Sequence, residues 1–412
     1  MAFCYRMMML RLILLTSILY SVNAAYKRDP CPSPCRCYEF LGVQSAYCNN
    51  TGITSVPQGI PENTQLLDLS ANPIPYIKVG AINNLPNLQY IVLNNMGYHE
   101  DSIEFGSLEL PNLTDIDLAL NAYTTIPKSL PKKMTSLMMN DNQIKVLKAD
   151  SFNGYPNLQS LLIDFNKLNK IEAGTFTPAV ALQELSIRFN KLTDDSIPRG
   201  LLSKNLNLTQ LEMRFNNFEH VIPDLPASVQ YVDYVGNHIT ELPAYSLQTT
   251  PNLTSFEAWQ GQMTTLQDNA FYGLHKLTLL DFMQNKISSV LTKDTFNGLT
   301  GLQTLYLDSN NISKIEPGAF RSFKSLSSMW LQANQLTVLE PEVLDVKYIP
   351  KLSELYIDTN PWYCDCHLRW LREKVNNASY VIQDPHLITC AGPAKVAGKA
   401  WDVLQPSDFV CP

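Results

Sequence analysis

Charged residues are scarce in this chain, and the two signs are nearly balanced. Asp, Glu, Lys and Arg make up 17% of its 412 residues, and the formal net charge is −7. A mildly acidic chain of this kind has no polybasic surface for nucleic acid or anionic lipid. The sequence also has no glycine-rich phosphate loop, no H-E-x-x-H pair and no EF-hand loop. We therefore expect no nucleic-acid partner, no metal and no cofactor.

Long hydrophobic runs are also lacking, except for one at the N-terminus. Residues 12–19 form an apolar core after Arg6 and Arg11, and residues 22–24 (V-N-A) resemble a small-residue cleavage site. We interpret residues 1–24 as a secretory signal peptide, because the apolar core is too short for the alternative, a membrane anchor. Removing this segment deletes two Arg and no acidic residue, which changes the net charge from −7 to about −9.

No second apolar segment of the sequence is long enough to span a bilayer. The chain ends at Cys411 and Pro412, without the hydrophobic tail that a lipid-anchor signal needs. We therefore expect the protein to be released into the extracellular space.

Cysteine is confined to the two ends of the chain. Of the nine Cys, Cys4 belongs to the predicted signal peptide. The other eight form two clusters of four, which are Cys31, Cys35, Cys37 and Cys48, and Cys364, Cys366, Cys390 and Cys411. An even number behind a signal peptide predicts disulfides. A zinc site is the weaker alternative, because neither cluster has the paired C-x-x-C spacing of structural zinc sites.

One short phrase recurs through the middle of the chain. At its clearest it reads L-x-x-L-x-L-x-x-N-x-I, from Leu302 through Leu305, Leu307 and Asn310 to Ile312. This is the signature of leucine-rich repeats, and its spacing of 21 to 26 residues fits them. The residues at position nine of the phrase are Asn72, Met96, Asn121, Asn142, Asn166, Asn190, Asn216, Asn237, Gly261, Asn285, Asn310, Asn334 and Asn360.

The alternation within the phrase predicts the fold. Positions four and six point inward from a short strand, and positions three, five and seven point outward. One repeat cannot bury its apolar face, whereas a stack of repeats can. We predict an α/β leucine-rich repeat solenoid (horseshoe) with a parallel β-sheet on the concave face and disulfide-bonded caps at both ends. The expected segments are the signal peptide (1–24), an N-terminal cap (25–63), about 13 repeats (64–360) and a C-terminal cap (361–412).

Two further features of the repeats predict local structure. The Asn at position nine can share its amide with neighbouring turns, so we expect distortion where Met96 and Gly261 replace it. On the back, Pro-rich segments of the short repeats favour an extended crossing, whereas the longer repeats favour a helical turn on a buried Phe spine. The spine residues are Phe152, Phe176, Phe271, Phe296 and Phe320.

The cysteine spacing before the first repeat resembles a known cap. C-x3-C-x-C-x10-C is similar to the N-terminal cap of secreted leucine-rich repeat proteins, including the small leucine-rich proteoglycans. The mixture of short and long repeats is also typical of that family. The resemblance implies that Cys31 pairs with Cys37 and that Cys35 pairs with Cys48.

The end of the last repeat resembles a second kind of cap. N-P-W-x-C-x-C, which begins at Asn360, is similar to the C-terminal cap of Slit, Toll-like and Nogo-receptor ectodomains. This resemblance implies that Cys364 pairs with Cys390 and that Cys366 pairs with Cys411.

The residues do not predict catalysis. A nucleophilic site needs its groups within hydrogen-bond reach, and a rigid solenoid holds equivalent positions of distant repeats far apart. The cysteines outside the signal peptide are all needed for the caps. The histidines lie in different repeats or in the C-terminal cap, at His99, His220, His238, His275, His367 and His386. We therefore predict that the protein is not an enzyme.

Six N-x-S/T sequons predict N-glycosylation, at Asn49, Asn112, Asn207, Asn252, Asn311 and Asn377. Three of them read Asn-Leu-Thr just before a strand, which leaves the Asn at the rim. For Asn311 the alternative is a purely structural role beside the ladder residue Asn310. No Ser-Gly run lies near the N-terminus, so we do not expect a glycosaminoglycan chain there.

The outward positions of the strands predict the interaction surface. Position five is acidic in mid-chain and aromatic toward the C-terminus, and Trp and Tyr are favoured interface anchors. The alternative is that these rings merely cover the stems of neighbouring repeats. The predicted contact residues are Arg188, Arg214, Glu212, Asp233, Glu257, Trp259, Asp281, Tyr306, Trp330 and Tyr356. We expect Phe165, Phe189 and Phe215, at position eight, to pack against the Asn turn.

Together these features predict a secreted, glycosylated protein of the extracellular matrix or of cell adhesion that binds a protein ligand through its concave face. The family resemblance implies collagen, another matrix protein or a cell-surface receptor as the partner, and a homodimer stays open. The alternative is a soluble receptor-like or innate-immune recognition module for a secreted or microbial ligand. Enzyme inhibition by a horseshoe is a third class.

Overall fold

The computed structural model describes residues 31–377 and 379–411. The predicted signal peptide therefore lies outside the described residues. Each repeat contributes one three-residue strand that covers positions three to five of the phrase. In chain order these strands are Leu66–Asp68, Tyr90–Val92, Asp115–Asp117, Ser136–Met138, Ser160–Leu162, Glu184–Ser186, Gln210–Glu212, Tyr231–Asp233, Ser255–Glu257, Leu279–Asp281, Thr304–Tyr306, Ser328–Trp330 and Glu354–Tyr356.

These strands pair in parallel and in register, so that equivalent positions of successive repeats lie side by side. Leu67 lies opposite Ile91, for example, and Leu305 lies opposite Met329. Three strands of the caps, which are Arg36–Phe40, Val43–Tyr47 and Val381–Ile382, extend the sheet to 16 strands. The protein is thus a parallel-strand solenoid with this sheet on its concave face.

The back of the solenoid is made of turns and short pairings. Two-stranded sheets join Val146–Leu147 with Lys170–Ile171 and Glu241–Leu242 with Thr265–Leu266, and a third, in the C-terminal cap, joins Trp362–Tyr363 with Cys390–Gly392. The described helices are the α-helix Arg369–Asn377 and the 3₁₀ turns Asp194–Ser196, Pro341–Leu344 and Pro406–Asp408. Within the described ranges, no helix is long and apolar enough to cross a membrane.

A spine of buried Phe rings runs along the back, as the sequence predicts. Phe152 and Phe176 stack with their centroids 5.6 Å apart, and Phe271 and Phe296 stack at 5.9 Å. Both pairs and Phe320 are fully buried. The segments that carry them are turns and not helices, because a single turn is enough to bring each ring onto the ring of the preceding repeat.

The Asn ladder joins successive turns through side-chain amides. Asn310 Nδ2 donates to the carbonyls of Phe282 and Leu307 at 2.9 and 3.1 Å, and its Oδ1 accepts from the amide of Ile287 at 3.0 Å. One side chain therefore serves two turns, in a region where unpaired backbone groups would be buried. The residue at position eight has a positive φ in every repeat, which turns the chain into the Asn.

The expected distortion at Met96 and Gly261 is wrong. The strands on either side keep their register, and the preceding Asn95 and Gln260 have the same left-handed backbone as the other repeats. The parallel pairing of the strands holds the register, and the ladder Asn of the following repeat bonds to each of these turns as it does elsewhere. Asn121 accepts from the amide of Met96 and donates to the previous turn, and an equivalent Asn serves the turn at Gly261.

Four disulfides close the ends. They join Cys31 to Cys37, Cys35 to Cys48, Cys364 to Cys390 and Cys366 to Cys411. These are the same pairs that the family resemblance implies. In the C-terminal cap, Trp370 Nε1 donates to the carbonyl of Leu339 at 3.0 Å, which ties the cap helix to the last repeats.

Candidate interaction face

The concave sheet lines up its outward side chains in columns, one residue per repeat. At position five, the pairing places Glu257 beside Asp281, Asp281 beside Tyr306, and Tyr306 beside Trp330. An acidic segment is therefore followed directly by an aromatic one. This arrangement follows from the in-register pairing of the strands. Each repeat contributes one strand, so residues at the same position of successive repeats lie side by side.

The aromatic segment is a continuous stack of three rings, Tyr306, Trp330 and Tyr356, which we call the C-terminal aromatic stack. The Tyr306 and Trp330 centroids lie 4.3 Å apart, and those of Trp330 and Tyr356 lie 4.9 Å apart with planes 7° from parallel. All three side chains are partly exposed. The rings thus cover one another and still present a surface. Because their packing already restricts the side chains, less conformational entropy is lost when a partner binds.

The acidic segment is more buried than the sequence suggests. Asp233 and Glu257 are 0% and 3% exposed, whereas Glu212 and Asp281 are half-buried. Asp233 is satisfied, because its Oδ2 accepts from Arg214 Nε at 2.6 Å. Only the half-buried carboxylates and the residues around them are therefore accessible to a ligand without rearrangement.

The two predicted arginines belong to ion pairs within the sheet. Arg188 is 8% exposed and lies between Asp164, with Nε 2.9 Å from Oδ2, and Glu212, with Nη1 3.0 Å from Oε2. Arg214 is paired with Asp233. Asp164 was not among the predicted site residues. It lies at position seven, one repeat before Arg188, and this alternation of charge in one column is the sequence signal for the pair.

Burial raises the pKa of two carboxyls on this face to about 7. For Glu212 the loss of solvent outweighs the attraction of Arg188. For Asp281 burial again comes first, opposed by a hydrogen bond from the amide of Met283, while neighbouring carboxylates including Glu257 raise the pKa further. Both groups are therefore poised to release a proton near neutral pH when a cation approaches.

Trp259 lies at position seven of the repeat that holds Glu257, within the acidic segment, and is partly exposed. Because it is at position seven, Trp259 does not belong to the position-five column that forms the C-terminal aromatic stack. Burial raises the pKa of its neighbour Glu257, with Asp233 adding to the shift and the indole of Trp259 opposing it.

The expectation for Phe165, Phe189 and Phe215 is wrong in part. The three rings stack on one another, with centroids 4.2 and 4.6 Å apart, but Phe165 and Phe189 remain 49% and 37% exposed. All three residues have a left-handed backbone, with φ between 51° and 53°. At the next repeat this column holds Gly236, and the Phe215 ring occupies the space that a side chain would need there.

The predicted glycosylation sites lie mainly on the exposed rim. Asn49, Asn112, Asn207 and Asn311 are exposed and Asn252 is partly buried. The side chain of the sixth sequon residue, Asn377, lies outside the described part.

Comparison with known proteins agrees with this architecture. A family model described as leucine rich repeat matches residues 132–192, 251–312, 285–336 and 300–361. Keratocan of Danio rerio is 26% identical over 74% of this chain and 80% of its own length. Osteomodulin of Bos taurus is 26% identical over 69% of this chain and 60% of its own length.

A solved structure shows the same fold. A chain of the octameric complex of latrophilin 3, Unc5D and FLRT2 superposes with a TM-score of 0.62 at 23% identity, over 93% of this chain and all of that one. The fold and its inner sheet define a leucine-rich repeat solenoid with disulfide-bonded caps. The chain belongs to the leucine-rich repeat family, and its relatives include proteins of the small leucine-rich proteoglycan class.

Proposed function

We propose that this protein is a secreted, non-catalytic component of the extracellular matrix or of cell adhesion, and that it binds a protein ligand through its concave face. The observation that carries the proposal is the C-terminal aromatic stack, which is preorganised and partly exposed on a rigid sheet. Large rings held in this way are the residue types that dominate binding at protein interfaces. The disulfides and the relatives of the proteoglycan class support an extracellular setting.

The proposed partner is collagen, another matrix protein or a cell-surface receptor. The matched structure supports protein binding in general terms, because its chain is part of a complex of several proteins. The Arg188 and Arg214 ion pairs support a stiff acidic centre of the face, beside which the rings make the direct contacts. We further propose that glycans on the rim sequons leave the concave sheet uncovered, and that the segment limits follow the predicted caps and repeats.

Crosslinking and recovery from a matrix extract test this function. Wild type is compared with a Trp259→Ala, Trp330→Ala variant, which removes one ring of the stack and the indole at position seven of the Glu257 repeat. The matched control is Tyr245→Ala, Tyr272→Ala, which removes an exposed ring pair that lies outside the strands of the concave sheet. We expect the first variant to lose the specific partners and the second to retain them. Equal recovery of partners by all three proteins would refute the concave face as the binding site.

The alternative is a soluble receptor-like or innate-immune recognition module. It is favoured by the C-terminal cap and by similarity to the structure of the Toll–Spatzle complex, with a TM-score of 0.55 at 17% identity. Extraction from the expressing tissue separates the two functions. A matrix component requires denaturant to be released, whereas a soluble module is recovered in physiological buffer.

A further inference from the structure

In the C-terminal half of the concave wall, three buried side-chain oxygens have no hydrogen-bond partner among the described residues. They are Glu257 Oε2, Asp308 Oδ1 and Gln332 Oε1. Buried acceptors in folded proteins are nearly always paired, so three unpaired ones in one region point to a missing partner. All three atoms are acceptors and two of them belong to carboxylates, whereas one unpaired buried donor of the same region, Trp259 Nε1, lies two residues from Glu257.

The unpaired acceptors surround the C-terminal aromatic stack. Asp308 lies two residues after Tyr306 and Gln332 lies two residues after Trp330, so each shares an outward face with a ring of the stack. Glu257 lies at position five, separated from Tyr306 only by Asp281. The acceptors and the rings therefore form one surface.

This surface carries more negative than positive charge, although the charge of Arg214 opposes the rise in the pKa of Glu257. In residues 31–377 and 379–411, Glu257, Asp281 and Asp308 form no ion pair, and the nearby Arg188 and Arg214 are engaged with other carboxylates. Burial raises the pKa of Asp308 as it does that of Asp281, and neighbouring carboxylates raise both further. A ligand that suits the surface must bring N–H donors and positive charge, as a Lys ammonium or an Arg guanidinium does.

A bound metal ion does not suit the same groups. Among the described residues, the set of three ligand-type side chains whose donor atoms converge within 4.8 Å is Cys366, His367 and Cys411, in the C-terminal cap. The carboxylates of the concave wall do not converge in this way, and calcium needs six or more oxygens around one point.

We propose that Glu257, Asp281 and Asp308 bind a Lys or Arg side chain of an extended partner segment, whose neighbouring aromatic or proline residue packs on the C-terminal aromatic stack. The proposal rests on the proposed function of the concave face and specifies the chemistry of its partner. Asp281 and Trp330 are two strands apart, which is about 9.6 Å at the usual spacing of strands. In a polyproline II segment, residues i and i+3 share a face and lie about 9.3 Å apart.

Fluorescence anisotropy with synthetic peptides tests the proposal on the secreted full-length protein. The probe is a fluorescein-labelled proline-rich nonapeptide with one Arg and one Tyr three residues apart. One control peptide places the two residues two apart, and another replaces Arg by Gln. We expect the first peptide to bind and both controls to bind at least about tenfold more weakly, because each loses either the charge or the shared face.

Protein variants complete the test. A Glu257→Gln, Asp281→Asn variant keeps the shape of both side chains and should bind the first peptide at least about tenfold more weakly. The matched control is Asp68→Asn, Asp117→Asn, which neutralises the same column at its N-terminal end and should bind like wild type. Glu257→Gln alone should also raise the unfolding temperature of the free protein, since it removes an unpaired buried charge.

The outcomes separate this proposal from the proposed function. If the first peptide does not bind to wild type, or if binding needs calcium and is abolished by EDTA, the cation site is wrong. The cation site is also wrong if the Glu257→Gln, Asp281→Asn variant recovers every matrix partner that the Trp259→Ala, Trp330→Ala variant loses. In that case the proposed function of the concave face still stands. If neither variant loses a partner, both proposals fall.

Discussion

The guanidinium of Arg188 forms an ion pair with the carboxylate of Asp164, with Nε 2.9 Å from Oδ2, and both side chains are buried. Removing one member of such a pair leaves an uncompensated buried charge. We expect Arg188→Met to destabilise the protein by about 3–5 kcal/mol in urea unfolding. An Asp164→Asn, Arg188→Met variant should recover at least half of that loss, and a larger loss in the double variant would show that the pair is not the cause.

The Asn ladder predicts opposite effects at two repeats. Asn310→Ala removes the bonds donated to the carbonyls of Phe282, Leu307 and Asp308 and leaves the buried amide of Ile287 unpaired, so we expect a loss of at least about 2 kcal/mol. Met96→Asn restores an amide at a repeat that lacks one, and should stabilise by about 0.5–1.5 kcal/mol. Urea unfolding of both variants checks the pair of predictions.

Gly261→Asn provides the control for the ladder. A Cβ at Gly261 would lie 2.6 Å from Asn285 Oδ1, which already serves this turn. The added side chain must displace that ladder bond, so we expect this substitution to destabilise the protein although it restores the consensus residue. Stabilisation by Gly261→Asn would contradict the packing seen at this turn.

The raised pKa of Asp281, about 7, predicts how stability depends on pH. Between the ordinary carboxyl pKa of 3.8 and this value, the unfolded chain is ionised while the folded protein keeps the proton. The unfolded state then binds fewer protons, so the contribution of Asp281 to stability falls as the pH rises from about 4 to about 7 and is constant above that range.

Thermal unfolding at a series of pH values measures this contribution. In the Asp281→Asn variant, the unfolding temperature should fall less between about pH 4 and about pH 7 than in wild type. Asp68→Asn is the comparison, because burial raises the pKa of Asp68 as well but the Glu257 and Asp308 carboxylates act only on Asp281. An unchanged pH profile in Asp281→Asn would refute the assignment.

Glycosylation should follow the geometry of the rim. Asn112 and Asn207 are exposed, and each donates a hydrogen bond from Nδ2 to the preceding repeat, at 2.8 and 3.0 Å. A glycosylated amide retains one N–H, so this bond can persist. Asn252 is partly buried and its Oδ1 also accepts from Lys276 at 2.7 Å. We expect glycopeptide mass spectrometry to find higher occupancy at Asn112 and Asn207 than at Asn252.

The sequence by itself determined the solenoid, its strands and its spine, because these depend on local periodicity. Leu305 and Leu307 are inward by alternation alone, and Phe152 meets Phe176 because the repeat places them at one phase. The cysteine spacing, read through the family resemblance, implied the four pairs that the structure contains.

The tertiary structure alone decided which outward residues are accessible, since that depends on neighbours in other repeats. Arg188 and Asp233 lie at outward positions but are buried in ion pairs across strands, whereas Phe165 remains 49% exposed although it stacks on Phe189. The unpaired oxygens of Glu257 and Asp308 also become visible only when every donor has been placed. The periodicity of the sequence predicts the direction of a side chain, but its contacts and its exposure depend on the side chains that neighbouring repeats place beside it.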